Sequence, residues 1–150
     1  SMTETPMRPD DMAEVIDIES YGFNPPWTRT MFLEELSNPH SHCLTFRFHG
    51  NVVSFMCFWI ILEETHLFNI AVTPSYRRSG IGRHMLQRLE EISRNSGARR
   101  IILDVARKND AARALYKKAG FSSIGFRKGY YPVINDDAIV MEKWIPENIS

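Results

Sequence analysis

The sequence has few cysteines, no excess charge of either sign and no long hydrophobic run, and each absence excludes a class of protein. Only two cysteines occur in 150 residues, Cys43 and Cys57, and both lie in apolar stretches. They are typical of core residues in a reducing compartment, not of a disulfide framework. Eighteen basic residues balance eighteen acidic ones, whereas a dedicated nucleic-acid-binding domain usually has a basic excess.

Membrane insertion and export are not indicated either. The longest apolar run covers residues 52–62, which is shorter than the roughly 20 residues that a membrane-spanning helix needs. The polar, acidic N-terminus has no signal-peptide pattern. We therefore expect a cytoplasmic protein with no membrane partner and no nucleic-acid partner.

What is present is typical of one globular domain. Hydrophobic residues make up 43% and charged residues 24% of the chain, close to the average of globular proteins. We expect a single domain over residues 1–150, with Ser1 and Met2 as a start or tag remnant. Charge is unevenly spread, since residues 10–37 contain seven acids and one base, and residues 77–100 contain seven arginines and two acids. Solvated helix faces explain most such residues, and the alternative is that the basic half meets an anion.

Hydrophobic periodicity predicts a mixed α/β fold with helices packed on a central sheet. Helices are predicted at residues 11–21, 28–37, 80–95 and 109–118, and strands at 43–48, 52–62, 65–72, 100–105, 121–127 and 138–144.

Three local signals refine these boundaries. Asp11 and Glu14 have the spacing of a capping box at the first helix. Thr28 is a candidate N-cap for the second helix, with Trp27 placed to pack on Phe32. Residues 50–51, Gly-Asn, are typical of a hairpin turn between the first two predicted strands.

The most informative stretch is a glycine-containing loop that follows a strand and opens a helix. Its glycines let the backbone approach a ligand, and the helix start and the arginines favour an anion. The loop does not fit a dinucleotide fingerprint, because Met85 replaces the third glycine, nor a Walker loop, because Arg83 and His84 replace the Lys-Ser/Thr pair. A glycine-rich turn beside a solvated basic face is the alternative. The candidate diphosphate-binding residues are Arg77, Arg78, Ser79, Gly80, Ile81, Gly82 and Arg83.

This R-x-x-G-x-G loop resembles the acetyl-CoA loop of the GNAT N-acetyltransferases. The strand at residues 69–74 and the stretches 103–112 and 114–121 are also similar to that family. Residues 127–132 and 136–141 resemble the C-terminal hairpin of its RimI-like branch, which contains the ribosomal-protein alanine N-acetyltransferases. The resemblance implies a single GNAT-type domain, with a mixed, mostly antiparallel sheet flanked by about four helices.

The resemblance also implies how acetyl-CoA is held and used as a cosubstrate. Backbone groups near Ile70, Ala71 and Val72 would hold the pantetheine arm and stabilise the oxyanion. Asn109 would contact the CoA arm; a helix N-cap is its alternative role, and the two roles are compatible. Tyr116 matches the tyrosine that faces the CoA sulfur, although a tyrosine at such a position is often simply core.

Other resemblances concern the acceptor. Asp104 stands where the RimI-like branch usually has a glutamate assigned as the base; a structural hydrogen bond to a neighbouring strand is its alternative role. Tyr130 and Tyr131 resemble hairpin tyrosines that hold the substrate's N-terminal backbone, with aromatic edge packing as the alternative. Glu34 and Glu35 lie in the expected substrate wall and would attract a cationic peptide.

The resemblance implies direct acetyl transfer to the N-terminal α-amino group of a protein, of the ribosomal-protein alanine type. A small amine or a lysine side chain is the alternative acceptor, and a non-catalytic acetyl-CoA sensor is the alternative class. A cysteine-based route is disfavoured, since neither cysteine has an electropositive motif beside it. The five histidines lack the spacing of metal ligands, so no metal is expected.

Overall fold

The computed structural model of the protein describes residues 1–147 and contains one seven-stranded sheet with helices on both faces. The strand order is β1-β2-β3-β4-β5-β7-β6, and only the β4–β5 pair is parallel. The strands are β1 (Met2–Pro6), β2 (Ser41–Phe48), β3 (Asn51–Ile61), β4 (Glu64–Val72), β5 (Arg100–Ala106), β6 (Ser122–Tyr131) and β7 (Asp136–Trp144). The helices are α1 (Met12–Ser20), α2 (Arg29–Ser37), α3 (Ile81–Asn95) and α4 (Asp110–Lys118).

The predicted mixed, mostly antiparallel sheet with four helices is confirmed, but the sequence prediction missed β1. This strand includes Met2, which was expected to be a start or tag remnant, and pairs along β2. Its residues do not alternate between apolar and polar, so periodicity gives no strand signal. A hydrogen bond of 2.8 Å between the hydroxyls of Thr5 and Thr45 joins the two strands.

The predicted capping box at α1 is wrong. The Asp11 carboxylate accepts from the backbone amide of Arg8 at 2.9 Å and forms an ion pair with Arg47. The Glu14 carboxylate instead accepts from the backbone amide of Val52 at 2.8 Å. Both acids therefore attach the start of α1 to neighbouring segments, a use that sequence spacing does not reveal.

The β2–β3 turn lies one residue earlier than predicted. Phe48 pairs with Asn51, so the two central residues are His49 and Gly50, both with positive φ (51° and 81°). This is the combination that a type I′ hairpin turn requires. At α2 the predictions are confirmed: the Thr28 hydroxyl accepts from Met31 N at 3.2 Å, and the rings of Trp27 and Phe32 lie 5.2 Å apart.

Two hydrophobic clusters cover the two faces of the sheet. The larger one contains the apolar face of α3, with Met85 and Leu89 fully buried. The smaller one joins α1 and α2 to β3, where the Phe32 ring meets Phe55 edge-on at 5.5 Å. Because β3 is packed on both sides, its sequence is a nearly continuous apolar run. Within residues 1–147, none of the helices has the length and apolarity needed to cross a bilayer.

We expect Phe32→Ala to lower the free energy of unfolding by about 3–5 kcal/mol, the usual result of leaving an aromatic-sized cavity in a core. Met31→Ala on the same helix is the matched control, since Met31 is 42% exposed and should change stability by less than about 0.5 kcal/mol. Urea unfolding of both variants measures the difference, and equal midpoints would contradict this role for Phe32.

Candidate active site

A large cavity lies where the neighbouring strands β4 and β5 separate. Their parallel pairing covers only Glu64–Leu67 and Arg100–Leu103, although β4 continues to Val72 and β5 to Ala106. A bulge in the β3–β4 pairing at Phe68 coincides with the point of separation. The resulting cleft has a volume of about 890 Å³ and is bounded by the α1–α2 loop, both strand ends, the start of α3 and one face of α4.

The separation leaves backbone groups of β4 without a strand partner on the cleft side. Thr73 donates its amide to Val53 of β3 at 2.8 Å. Because successive residues of a strand point their backbone groups to opposite sides, Val72 and Ile70 face the cleft and Ala71 faces β3. Of the three predicted β4 residues, Ile70 and Val72 therefore offer backbone N–H groups to a ligand, whereas Ala71 contributes only cavity lining.

The glycine loop brings the N-terminus of α3 to one end of the cleft. Arg78 and Gly80 adopt positive φ angles of 62° and 85°, which turn the chain into the helix. His84 N is the first helix amide bonded to a helix carbonyl, that of Gly80, at 3.0 Å, so the preceding amides remain available, as at any helix start. A Cβ on Gly82 would lie 3.1 Å from Leu115 of α4, so glycine allows the two helices to approach closely.

The three predicted arginines of the loop differ in the contacts that they make. All three are exposed and line the cleft. Arg77 is engaged by the protein itself, since its Nε donates to the Val72 carbonyl at 3.1 Å and an Nη donates to the Tyr21 carbonyl at 3.0 Å. Arg77 thus joins the end of β4 to the α1–α2 loop. Of the other predicted loop residues, Ile81 is buried in the core and the Ser79 hydroxyl donates to the Tyr76 carbonyl.

Helix α4 places Asn109 and Tyr116 on the opposite wall. The Asn109 side chain accepts from Ala112 N at 3.3 Å and lines the cavity. Tyr116 also lines the cavity but is only 6% exposed, with its ring 5.8 Å from Phe121. Burial raises the pKa of the Tyr116 phenol, and Tyr131 raises it further. The phenol therefore stays protonated at neutral pH and is able to donate a hydrogen bond.

Asp104 lies on β5 at the same cavity, and an arginine balances its charge. Its Oδ1 lies 3.3 Å from Nε of Arg127 on β6, and its side chain is 28% exposed. Burial, Asp104 and Tyr130 raise the pKa of Tyr131 to about 12, although a hydrogen bond to Asn24 opposes the rise. The effect of the Asp104 charge on the pKa of Tyr131 places Tyr131 near this end of β5.

The remaining predicted substrate residues lie farther out. Tyr130 is half exposed, meets Tyr131 edge-on at 5.0 Å and carries the Arg127 guanidinium over its ring. Glu34 is exposed on α2, and Glu35 accepts from Trp59 Nε1 at 2.9 Å. Neither glutamate is among the residues that line the cleft.

Sequence reasoning missed Glu19 as a residue of the cleft. It lies in the last turn of α1, is 7% exposed and lines the cavity beside Asn69. The signal available in the sequence was its position: Glu19 falls on the apolar face of an amphipathic helix, just before a tyrosine-glycine turn. Within residues 1–147, no three His, Cys, Asp or Glu side chains are arranged to hold a metal ion.

The cleft fits acetyl-CoA in its chemistry. A free strand edge suits the amides of a pantetheine arm, and helix amides with exposed arginines suit a diphosphate. The thioester would then lie beside Tyr116, at a part of the cleft that a second substrate is able to reach.

Comparisons with known proteins agree with this geometry. The model of the acetyltransferase (GNAT) family matches residues 11–121. The [ribosomal protein bS18]-alanine N-acetyltransferase of Escherichia coli K12 is 35% identical over 135 residues, which cover 87% of this chain and 89% of that protein. The N-alpha-acetyltransferase RimI of Mycobacterium tuberculosis is 34% identical over 122 residues, covering 79% of this chain and 75% of that protein.

A solved structure agrees as well. The ribosomal-protein-S18-alanine N-acetyltransferase from Escherichia coli superposes with a TM-score of 0.88 at 30% identity, over 100% of this chain and 99% of that chain. The family match covers well over half of the sequence, and both relatives exceed 30% identity over most of the chain. The protein is therefore an enzyme that belongs to the GNAT acetyltransferase family.

Proposed function

We propose that this enzyme transfers the acetyl group of acetyl-CoA to the N-terminal α-amino group of a cytoplasmic protein, of the ribosomal-protein alanine type. The observation that supports this most is the cleft between β4 and β5, which joins a free strand edge, the start of α3 and a buried tyrosine. The Escherichia coli relative, at 35% identity, is named as a ribosomal-protein alanine N-acetyltransferase, and the Mycobacterium tuberculosis relative, at 34%, as an N-alpha-acetyltransferase.

The start of α3 holds the diphosphate of CoA in this proposal. The amides at the beginning of the helix donate to phosphate oxygens, and the helix dipole adds a partial positive charge. Arg78 and Arg83 add charge-assisted hydrogen bonds. The pantetheine arm then runs along Ile70 and Val72, whose cleft-facing backbone groups pair with its amides.

Two groups of the chain act on the acetyl transfer itself. An N–H on the free edge of β4 stabilises the negative charge that develops on the carbonyl oxygen. The Tyr116 phenol, whose pKa burial raises further above neutral pH, is protonated and donates a hydrogen bond to the departing CoA sulfur. Acetyl-CoA supplies the acyl group as a thioester, and in direct transfer to the amine both substrates occupy the cleft together.

The acceptor amine enters at the wall formed by the α1–α2 loop and the β6–β7 hairpin. A free α-amino group has a pKa of about 7.7–8.0, so part of it is neutral at pH 7, whereas a lysine near 10.4 is almost fully protonated. In this proposal Tyr130 and Tyr131, which meet edge-on in β6, hold the peptide backbone, and the acidic pair Glu34 and Glu35 of α2 attracts a cationic peptide.

Peptide assays test the acceptor class directly. With acetyl-CoA, we expect acetylation of peptides that carry a free N-terminal alanine and little or none of the same peptides with a blocked N-terminus and an internal lysine. Mass spectrometry locates the acetyl group. Modification of the blocked peptides at lysine would contradict the N-terminal assignment, and binding of acetyl-CoA without turnover on any amine would favour a sensor.

We expect Arg83→Gln to raise the dissociation constant of acetyl-CoA by about 10- to 100-fold, because one charge-assisted hydrogen bond to phosphate contributes on the order of 1.5–3 kcal/mol. The variant should also bind with a weaker dependence on salt. Calorimetry measures both, with exposed Lys117→Gln on α4 as the control. Equal affinity of the two variants would place the diphosphate elsewhere.

We expect Tyr116→Phe to lower kcat by about 10²-fold while the KM for acetyl-CoA changes little, since the ring still fills its buried site and only the proton donor is lost. Steady-state kinetics with a saturating peptide separates the two constants. A variant with wild-type kcat would assign Tyr116 to the core alone.

A further inference from the structure

Glu19 has the geometry of a carboxylate that is held in place by one oxygen and left free at the other. Its Oε2 accepts from the backbone amide of Trp27 at 3.0 Å and from the side-chain amide of Asn69 at 2.8 Å. Its Oε1 has no hydrogen bond to residues 1–147 and is not among their buried unpaired atoms. Glu19 lines the cavity, and Oε1 is the carboxylate oxygen that its hydrogen bonds leave unused.

The surroundings of Glu19 contain no cation that balances its charge. Within residues 1–147 it takes part in none of the ion pairs, whereas Asp104, on the other strand wall, is paired with Arg127. Burial raises the pKa of Glu19, although its hydrogen bonds to Trp27 and Asn69 oppose the rise. A carboxylate without a partner in such a place attracts an ammonium group and takes up a proton more readily than a neutralised one.

The elements that pack against Glu19 contribute other titratable groups. On β3 the buried Cys57 experiences the charges of both Glu19 and Glu35 of α2. Arg77, after β4, is bound to the Tyr21 carbonyl two residues from Glu19. Asp104 lies on the β5 side of the cavity. Arg77 is the cation in this group; its Nε and one Nη donate to backbone carbonyls, and it forms no ion pair with Glu19 in the part of the chain that the structure describes.

The location of Glu19 also suits the reaction. Its partner Asn69 directly precedes Ile70, the first residue whose backbone faces the cleft. The hydrogen bond to Trp27 fixes the α1–α2 loop, which forms the wall at which the acceptor enters. We propose that Glu19 is a catalytic residue whose Oε1 receives the proton of the acceptor's ammonium group, directly or through one water molecule. This rests on the proposed acetyl transfer and names the proton acceptor for it.

The step removes two protons from the acceptor nitrogen and leaves the electron pair of the C–S bond on sulfur. The ammonium gives one proton to Glu19 Oε1, and its nitrogen lone pair then forms the C–N bond as the C–S bond breaks. The second proton on that nitrogen passes to water, while the CoA thiolate takes a proton from Tyr116, which is reprotonated by water. Glu19 releases its proton to solvent through the cleft.

The experiment compares Glu19→Gln, Asp104→Asn and the wild type over pH 6.5–9.5, with the peptide that the wild-type enzyme acetylates. Glutamine keeps an oxygen that accepts from Trp27 and Asn69, so the loop remains fixed. We expect Glu19→Gln to lose kcat/KM by about 10²-fold at pH 7, the usual size of a general-base contribution. The loss should shrink at pH 9.5, where the α-amine is already neutral.

Asp104→Asn should change kcat/KM by a factor that does not depend on pH. Asp17→Asn, an exposed carboxylate on α1, should match the wild type. Glu19→Asp keeps a carboxylate and should retain more activity at pH 7 than Glu19→Gln. Calorimetry with acetyl-CoA should give the same affinity for all variants, which shows that they are folded.

Three results would overturn the proposal: a wild-type pH profile for Glu19→Gln, the pH-dependent loss in Asp104→Asn instead, or no advantage of Glu19→Asp over Glu19→Gln. Failure of the proposed function is a separate result. If the wild-type enzyme acetylates only lysine or a small amine, the same comparison is made with that acceptor.

Discussion

The interrupted pairing between β4 and β5 is the constraint on which the rest of the site depends. The two strands share hydrogen bonds over four residues each and then separate. A parallel pair that stops in the middle of a sheet exposes backbone groups that must find other partners. Here the cleft-facing groups of Ile70 and Val72 remain for a ligand, except that Arg77 takes the Val72 carbonyl. The same gap creates the cavity into which Tyr116 and Asp104 face from the other side.

Polar contacts at the edge of this gap hold the acceptor wall in place. Glu19 ties the α1–α2 loop to Asn69, and Arg77 ties it to the end of β4. The hydrophobic support comes from Phe32, which packs between Trp27 and Phe55. The α1–α2 loop is therefore attached to β4, the strand that carries the free edge. This attachment fixes the distance between the place where the acceptor enters and the strand edge that would bind acetyl-CoA.

Local signals predicted much of this from sequence, and long-range contacts account for what they missed. Thr28, Asn109 and the glycine loop act on residues within a few positions, so their roles could be inferred. Asp11 and Glu14 bond to residues 36 and 38 positions away, which made the capping-box prediction wrong. Arg77, a predicted diphosphate-binding residue, lines the cleft and also donates two N–H groups to the carbonyls of Val72 and Tyr21, and the Tyr21 contact, 56 positions away, has no local signal. The role of Glu19 depends on Asn69, 50 residues later, and no local pattern contains that pair.

A crystal structure with bound CoA tests the central claim most directly. The account predicts phosphate oxygens about 3 Å from the backbone amides at the start of α3, and pantetheine amides hydrogen-bonded to Ile70 and Val72 between the separated strands. The sulfur should lie within reach of the Tyr116 hydroxyl. A ligand bound outside the β4–β5 gap, or a gap closed by strand pairing in the complex, would contradict it.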